Sequence, residues 1–300
     1  MSAPRWNAAD LPDLHGRTAI VTGANSGIGR ATALELARAG AAVTLAVRDT
    51  SKGHVAAGAM TGDVTVRPLD LADLDSVRSF AAATDEPVDL LVDNAGIMAT
   101  PERRTAEGFE LQFGTNHLGH FALTNLLLPH ITDRVVVVSS GLHRNGRIEL
   151  DDLNWEHRSY KPWQAYSQSK LANLLFVLEL QRRLSEAGSG VRAIAVHPGY
   201  AATNLQGHRG NPIAKFIAAV ANRLVAQSET MGALPTLYGA TVDIAGGSYI
   251  GPDGFHHLRG YPAVDTPAPQ AFDALTARTL WELSERLTGV TWPLSPLTSM

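Results

Sequence analysis

The sequence predicts an α/β fold: a doubly wound parallel sheet in one domain over residues 1–300, with 200–268 supplying a small helical cap over the strand C-terminal ends. Three observations carry this expectation. Short apolar runs alternate with helical patterns through most of the chain. The first run, Ala19-Ile20-Val21, ends in a glycine turn, Thr22-Gly23-Ala24-Asn25-Ser26-Gly27-Ile28-Gly29, that opens directly into a helical pattern. The run 135–138 is apolar at every position, as a central parallel strand covered on both faces requires. No repeat, low-complexity tract or linker divides the chain.

In the glycine turn, strand, turn and helix follow one another without interruption. Glycines there permit a tight turn and close backbone approach, and the free N–H groups of the helix start can hold a pyrophosphate. The spacing G-x-x-x-G-x-G differs from the commoner G-x-G-x-x-G fingerprint. A second strand over 42–47 ends in Val47-Arg48-Asp49, where an acidic side chain would bind the ribose of NAD and an Arg would accommodate a 2′-phosphate. Arg48 favours NADP(H) over NAD(H); the alternative is that Arg48 is a solvated strand-end charge and Asp49 supplies the ribose contact. A third strand over 64–69 ends in Asp70, placed to accept from an adenine amino group or to cap the helix predicted over 71–83. A fourth, 88–92, ends in Asp93-Asn94-Ala95-Gly96, whose small residues let backbone lie against a planar ligand.

A long helical pattern over 105–128 carries Asn116 close to its apolar stripe, an expensive placement unless the amide's hydrogen bonds are used. His117 and His120 read as capping or solvent-facing groups, because no ligand partner sits at metal-site spacing and no metal site is expected. The strand 135–138 delivers Ser139-Ser140 to a carboxyl end, where ligands bind in such sheets. The polar connection 141–163 is long enough to shape a site or pack as an insertion. The helix over 163–185 then places Tyr166 and Lys170 four residues apart on one face, an arrangement in which an ammonium favours the phenolate. A strand over 191–197 leads to Pro198-Gly199-Tyr200-Ala201-Ala202-Thr203. Helices over 212–225 and 230–240, a last strand over 246–251 and a last helix over 270–287 with Phe272, Leu275, Leu280, Trp281 and Leu283 complete the pattern. Trp155, Tyr160, Trp163, Tyr200, Phe216 and Met231 suggest a moderately apolar pocket or are ordinary packing residues.

Composition sets outer limits. A hydrophobic fraction of 45% in 300 residues allows a sizeable core, and the absence of cysteine excludes a disulfide framework and a thiolate nucleophile. The formal charge of −4, from 25 basic and 29 acidic residues without a Lys/Arg block, is no nucleic-acid footprint. No stretch reaches the roughly 18 uninterrupted apolar residues a membrane span needs, and residues 1–14 carry Asp10 and Asp13 without an apolar signal core.

Thr22-Gly23-x-x-x-Gly27-Ile28-Gly29, Asn94-Ala95-Gly96, Asn116, Ser140, Tyr166-x-x-x-Lys170 and Pro198-Gly199 together resemble the short-chain dehydrogenase/reductase family, in its order and over 22–199. Tyr166-Ser-Gln-Ser-Lys170-Leu-Ala-Asn173, Asn116-His-Leu-Gly-His-Phe121 and the long interval from Ser140 to Tyr166 are similar to the retinol dehydrogenase and protochlorophyllide reductase-like branch. The resemblance implies a Rossmann-type fold and a hydride-transferring reductase of a carbonyl or alcohol substrate. It implies that Ser140 hydrogen-bonds the substrate oxygen, Tyr166 exchanges the proton, Lys170 lowers the phenol's pKa and binds the nicotinamide ribose, and Asn116 holds a water in the proton relay. It places Gly23, Ser26, Gly27, Ile28 and Gly29 around the pyrophosphate, Asn25 at the cofactor beside them, and Arg48 at the 2′-phosphate. Asp70 falls at the adenine, Asn94, Ala95 and Gly96 at the adenosine half and Thr203 at the carboxamide, with Leu71, Pro198 and Gly199 also among the cofactor-binding residues. Asp93 stands where the family more often has Asn. The membrane-bound members of that branch carry an N-terminal anchor, so the resemblance is to their soluble, cytoplasmic relatives, as a homodimer or homotetramer. Two other functions remain open from sequence: reduction of an activated carbon–carbon double bond by the same residues, and nucleotide binding without turnover.

Overall fold

The computed structural model describes residues 5–199 and 228–294. Its centre is a sheet of β1 (Thr18–Thr22), β2 (Ala42–Val47), β3 (Val64–Pro68), β4 (Val88–Asp93), β5 (Ile131–Val138), β6 (Arg192–Val196), β7 (Tyr249–Pro252) and β8 (Pro262–Val264). The spatial order is β3-β2-β1-β4-β5-β6-β7-β8, parallel throughout except for β8, which pairs antiparallel with β7. The order reverses between β1 and β4, and a crevice opens there beyond the strand carboxyl ends.

Alternation along the strands assigns the two layers. Ile20, Val135 and Val137 face one cluster; Ala19, Val21, Val136 and Val138 face the other. The second cluster is covered by α1 (Gly27–Arg38), α2 (Thr50–Ala57) and α7 (Glu229–Thr241). The first is covered by α3 (Leu74–Ala82), α5 (Gly119–Leu127), α6 (Pro162–Glu186) and α8 (Ala274–Thr288), with the short α4 (Leu111–Phe113) before α5. Trp281 of α8 is buried against α5 and α6, its ring stacked on Phe176 at 5.6 Å and edge-on to Phe121 at 4.9 Å. The protomer thus uses this aromatic residue in its own core.

Several elements differ from expectation. The predicted helix over 71–83 begins at Leu74, with Asp73 as its cap through the Asp75 and Ser76 N–H groups. Helix 105–128 begins only at Leu111, because the Glu110 carboxylate caps there by accepting from Gln112 and Phe113. It then passes through a π-helical turn, Gly114–Leu118, that contains Asn116. The last strand is β8, and the sheet is mixed; β8 has three residues and begins with Pro, tolerated at a sheet edge and too short to show alternation. Phe272 and Leu275 are exposed, because Phe272 belongs to a separate 3₁₀ turn, Pro269–Phe272, ahead of α8. Of the predicted cap, 200–227 lies outside the described residues, and the remainder supplies α7, β7 and β8 to the main layers.

At the end of β4, Asp93 is buried, accepts from the Thr124 hydroxyl at 2.8 Å, and has no partner for Oδ1 among the described residues. Burial pushes its pKa up to about 8, against the smaller opposing effect of Thr124. A carboxyl whose folded pKa is raised contributes stability that is full below its unfolded pKa and is lost as pH rises through the folded value. Urea unfolding should therefore show Asp93→Asn gaining on the parent protein between pH 5 and 8, with a slope difference of up to about 1.4 kcal/mol per pH unit. A constant difference over that range would contradict a protonated Asp93.

Candidate active site

The crevice is built from the β1 end outward. Gly23 and Gly27 have φ of +66° and +59°, left-handed values that glycine adopts freely. A Cβ at Gly29 would lie 2.3 Å from Asn94 Nδ2, so the first turn of α1 packs directly on the β4 end. Ser26 caps α1 without spending its hydroxyl on the helix. Thr22, just before the turn, ties the strand ends together: its Oγ1 accepts from the N–H groups of Asn94 and Ala95, both at 2.9 Å. Asn94 Nδ2 donates to the Thr22 carbonyl at 2.8 Å.

His120 completes this junction. Its Nδ1 faces the Asn116 carbonyl at 3.0 Å, and a carbonyl can only accept, so Nδ1 carries the proton. Burial pushes the ring's pKa down to about 4, leaving it neutral, so Nε2 accepts from the Thr22 hydroxyl at 2.9 Å. The expectation that His117 and His120 cap or face solvent is overturned: both are buried, and His117 Nε2 pairs with Ser284 Oγ at 3.0 Å. Thr22 and Ser284 lie far along the chain from the rings they meet and leave no mark at local spacing.

At the adenosine end, Arg48 is exposed at the rim of the cleft, and Lys52, from the first turn of α2, lines the same wall. Asp49 caps α2 through the Lys52 N–H, and its carboxylate also meets Lys52 Nζ at 2.9 Å. Asp70 accepts from the Ala72 N–H at 2.9 Å and leaves the helix cap to Asp73.

At the other end α6 presents Tyr166 and Lys170, starting at Pro162 in the first helical position. Three bonds lock this helix to β5: Ser139 Oγ donates to the Lys170 carbonyl at 2.7 Å, while Lys170 Nζ and Asn173 Nδ2 both donate to the Val138 carbonyl, at 2.9 and 3.2 Å. The Ser169 hydroxyl, itself donating to the Tyr166 carbonyl, receives Asn116 Nδ2 at 2.9 Å. Asn116 also clamps Ile97 from both sides, accepting its N–H at 2.8 Å and donating to its carbonyl at 2.9 Å. Ser140 is the polar neighbour that acts on the Tyr166 phenol, and its hydroxyl accepts from the Leu142 N–H at 3.2 Å.

The electrostatics differ from the spacing argument. Burial raises the Tyr166 pKa to about 12, and the opposing influence is the Ser140 hydrogen bond; Lys170 Nζ, 5.9 Å from the phenol ring centroid, is held on the Val138 carbonyl. Burial pushes Lys170 itself down to about 8, still protonated in its majority at neutral pH.

The cleft joining these ends has a volume of about 410 Å³, within the range of small-molecule and cofactor sites. It gathers Gly23, Asn25, Ser26, Gly27, Ile28, Gly29, Arg48, Asp70, Leu71, Asn94, Ala95, Gly96, Tyr166, Lys170 and Pro198. Ser140, Asn116 and Gly199 are not among the residues that line it, and Thr203 lies outside the described residues. Ser139, of the predicted serine pair, also lines it, and Lys52, Ile97 and Thr115 do so without having been singled out. The donor set suits a dinucleotide: glycines with exposed backbone at a helix start, cations at one rim, and a buried phenol and ammonium at the other end. Of the aromatic residues considered for a pocket, Trp155 is buried beneath the Arg158 guanidinium at 3.7 Å, and the Tyr160 hydroxyl bonds Glu110 and Thr100. Met231 packs against the core, Trp163 is exposed, and Tyr200 and Phe216 lie outside the described residues.

Comparison with known proteins agrees with this architecture. The short chain dehydrogenase family model matches residues 17–213. Human "Retinol dehydrogenase 13" is 45% identical over 296 residues, covering 93% of this chain and 86% of the relative, and human "Retinol dehydrogenase 14" is 41% identical over 92% and 88%. A crystal structure of a Mycobacterium paratuberculosis protein superposes with a TM-score of 0.86 at 53% identity, covering 97% of this chain and 100% of the other. Among the described residues no helix is long and apolar enough to cross a membrane. With the family model, the full-length relatives and the doubly wound sheet in agreement, the chain belongs to the short-chain dehydrogenase family, as an oxidoreductase closely related to its retinol-dehydrogenase-type members.

Proposed function

We propose that this chain is an NADP(H)-dependent oxidoreductase that moves a hydride between nicotinamide and the carbonyl or alcohol carbon of a moderately apolar small molecule, with Tyr166 as acid/base. The observation that carries this reading is the buried Tyr166, with Lys170 one helical turn on and Ser140 as the polar neighbour of its phenol, in the cleft that also holds the glycine turn. Bound NADPH would supply the hydride. Ser140 and Tyr166 would both donate to the substrate oxygen as negative charge develops there, and Tyr166 would give up its proton. A phenol raised to about 12 is protonated at neutral pH, the form required of the acid when the carbonyl is reduced.

Lys170 lies beside Gly96, whose hypothetical Cβ would be 3.4 Å from Nζ, and its remaining donors suit the hydroxyls of the nicotinamide ribose. Asn116 Oδ1 accepts one bond from Ile97 and keeps a second lone pair for a water of the proton relay. Arg48 and Lys52 support the 2′-phosphate, and hence NADP(H), while Asp49 has its carboxylate engaged by the α2 cap and by Lys52. The retinol in the relatives' names supports an apolar alcohol or aldehyde; retinoid specificity itself does not follow from a shared fold.

Two variants test this reading. Tyr166→Phe should lower turnover about 10²- to 10⁴-fold, while NADPH titration by fluorescence finds binding nearly intact; undiminished turnover would remove Tyr166 from the chemistry. Arg48→Ala should weaken NADPH binding about 10- to 100-fold, the worth of a charge-assisted bond, and leave NADH binding unchanged. Equal losses for the two cofactors would remove Arg48 as the phosphate reader.

A further inference from the structure

Ser140 reaches Tyr166 only if its own backbone is held, because it stands at the open end of β5 with extended dihedrals, φ −155° and ψ 150°, outside any strand ladder. The group that holds it is His143. The Ser140 carbonyl receives two donors from this residue, the backbone N–H at 3.0 Å and the ring Nδ1 at 2.7 Å. On the far side of the ring the Ala268 backbone N–H donates to Nε2 at 3.0 Å. An N–H can only donate and a carbonyl can only accept, so the two contacts together admit one arrangement: lone pair on Nε2, proton on Nδ1. The ring is fully buried, and burial keeps it neutral, with a pKa pushed down to about 4.

The ring's surroundings fix its plane. Tyr249 of β7 meets it edge-on at 5.6 Å, and the other neighbour of Tyr249 is His197, stacked on it at 5.0 Å. His197 is in turn constrained: its Nδ1 accepts from the Gly199 N–H at 3.3 Å, so its Nε2 carries the proton that meets Asp265 at 2.9 Å. A Cβ at Gly251 would fall 1.8 Å from His197 Nε2, so β7 is bare there to admit that ring. Among the described residues, Tyr249 of β7 and Ala268 after β8 bring the C-terminal third of the chain to the His143 ring.

We infer that His143 is a positioning residue for the reaction: clamped between Ala268 and Tyr249, it fixes the Ser140 backbone so that the Ser140 hydroxyl meets Tyr166. A histidine that merely filled the core would need satisfied nitrogens. This one sends its only ring proton to the carbonyl of Ser140, the residue given a substrate-binding hydroxyl next to Tyr166. The inference rests on the role given to Ser140 under the proposed function.

A double-mutant cycle separates the two claims, with carbonyl reduction, NADPH binding and thermal midpoint measured for each variant. Ser140→Ala should lose turnover; full turnover there would overturn the reading of Ser140 and the inference with it. His143→Leu should lower kcat about tenfold or more with the NADPH Kd within about twofold, and His143→Leu in the Ser140→Ala background should add almost nothing. His143→Asn, whose amide keeps a donor at the place of Nδ1, should recover most of kcat, and His143→Gln, which keeps only the Ala268 contact, should not. The Asn and Gln pair decides the matter if the leucine variant fails to fold. Losses that multiply in the double variant, or equal kcat for Asn and Gln, would overturn the positioning role while leaving Ser140 in place.

Discussion

A buried ammonium organises the site. Lys170 is 3% exposed, and an unpaired charge at that depth would cost several kcal/mol. Its acceptor is the Val138 carbonyl, which is available because β5 ends there. This one requirement brings α6 against the sheet terminus, where Ser139 and Asn173 add two further bonds to the same junction. Tyr166, one turn earlier, is carried to the strand ends, and Ser140, just beyond Val138, meets it. Desolvation then sets both pKa values: it lowers the ammonium and raises the phenol, and the phenol remains an acid at neutral pH.

The same junction is braced from the opposite side through Asn116. A continuous α-helix from Leu111 would carry its residues in a fixed register; the π turn at Gly114–Leu118 breaks that register at Asn116. From there the amide clamps Ile97 and Ser169, and the backbone carbonyl receives His120, which in turn holds Thr22. The glycine turn, the Asn94–Gly96 loop and α6 are therefore one hydrogen-bonded unit, and partly satisfied networks of this kind are costly, which gives the unit its rigidity.

Much of this was legible in the sequence because it is local. The strand, glycine turn and helix at 18–38, the fully apolar β5 and the Tyr166 to Lys170 spacing each declare themselves within a few residues. What escaped depends on contacts between distant residues or on absent side chains. Helix α2 was not recognised because it packs on the sheet through Gly53, where a Cβ would lie 2.7 Å from Val66, leaving no apolar stripe to read. Lys52 escaped with it. His120, His143 and His197 each meet a partner in a distant element, Thr22, Ala268 and Asp265, which local spacing does not show. Spacing placed Tyr166 and Lys170 on one face correctly, but could not show that Val138 competes for the ammonium.

The central claim is that the two ends of one cleft join a nicotinamide to a carbonyl carbon beside Tyr166. Its most direct test is isotopic: NADPH deuterated at the transferable position of the nicotinamide is incubated with the protein and a panel of apolar aldehydes, ketones and enones, and the products are read by NMR. The account predicts one deuterium on the carbinol carbon of a newly formed alcohol. Deuterium on a carbon β to a retained carbonyl, or tight NADPH binding with no deuterium transferred to any member of the panel, would contradict it.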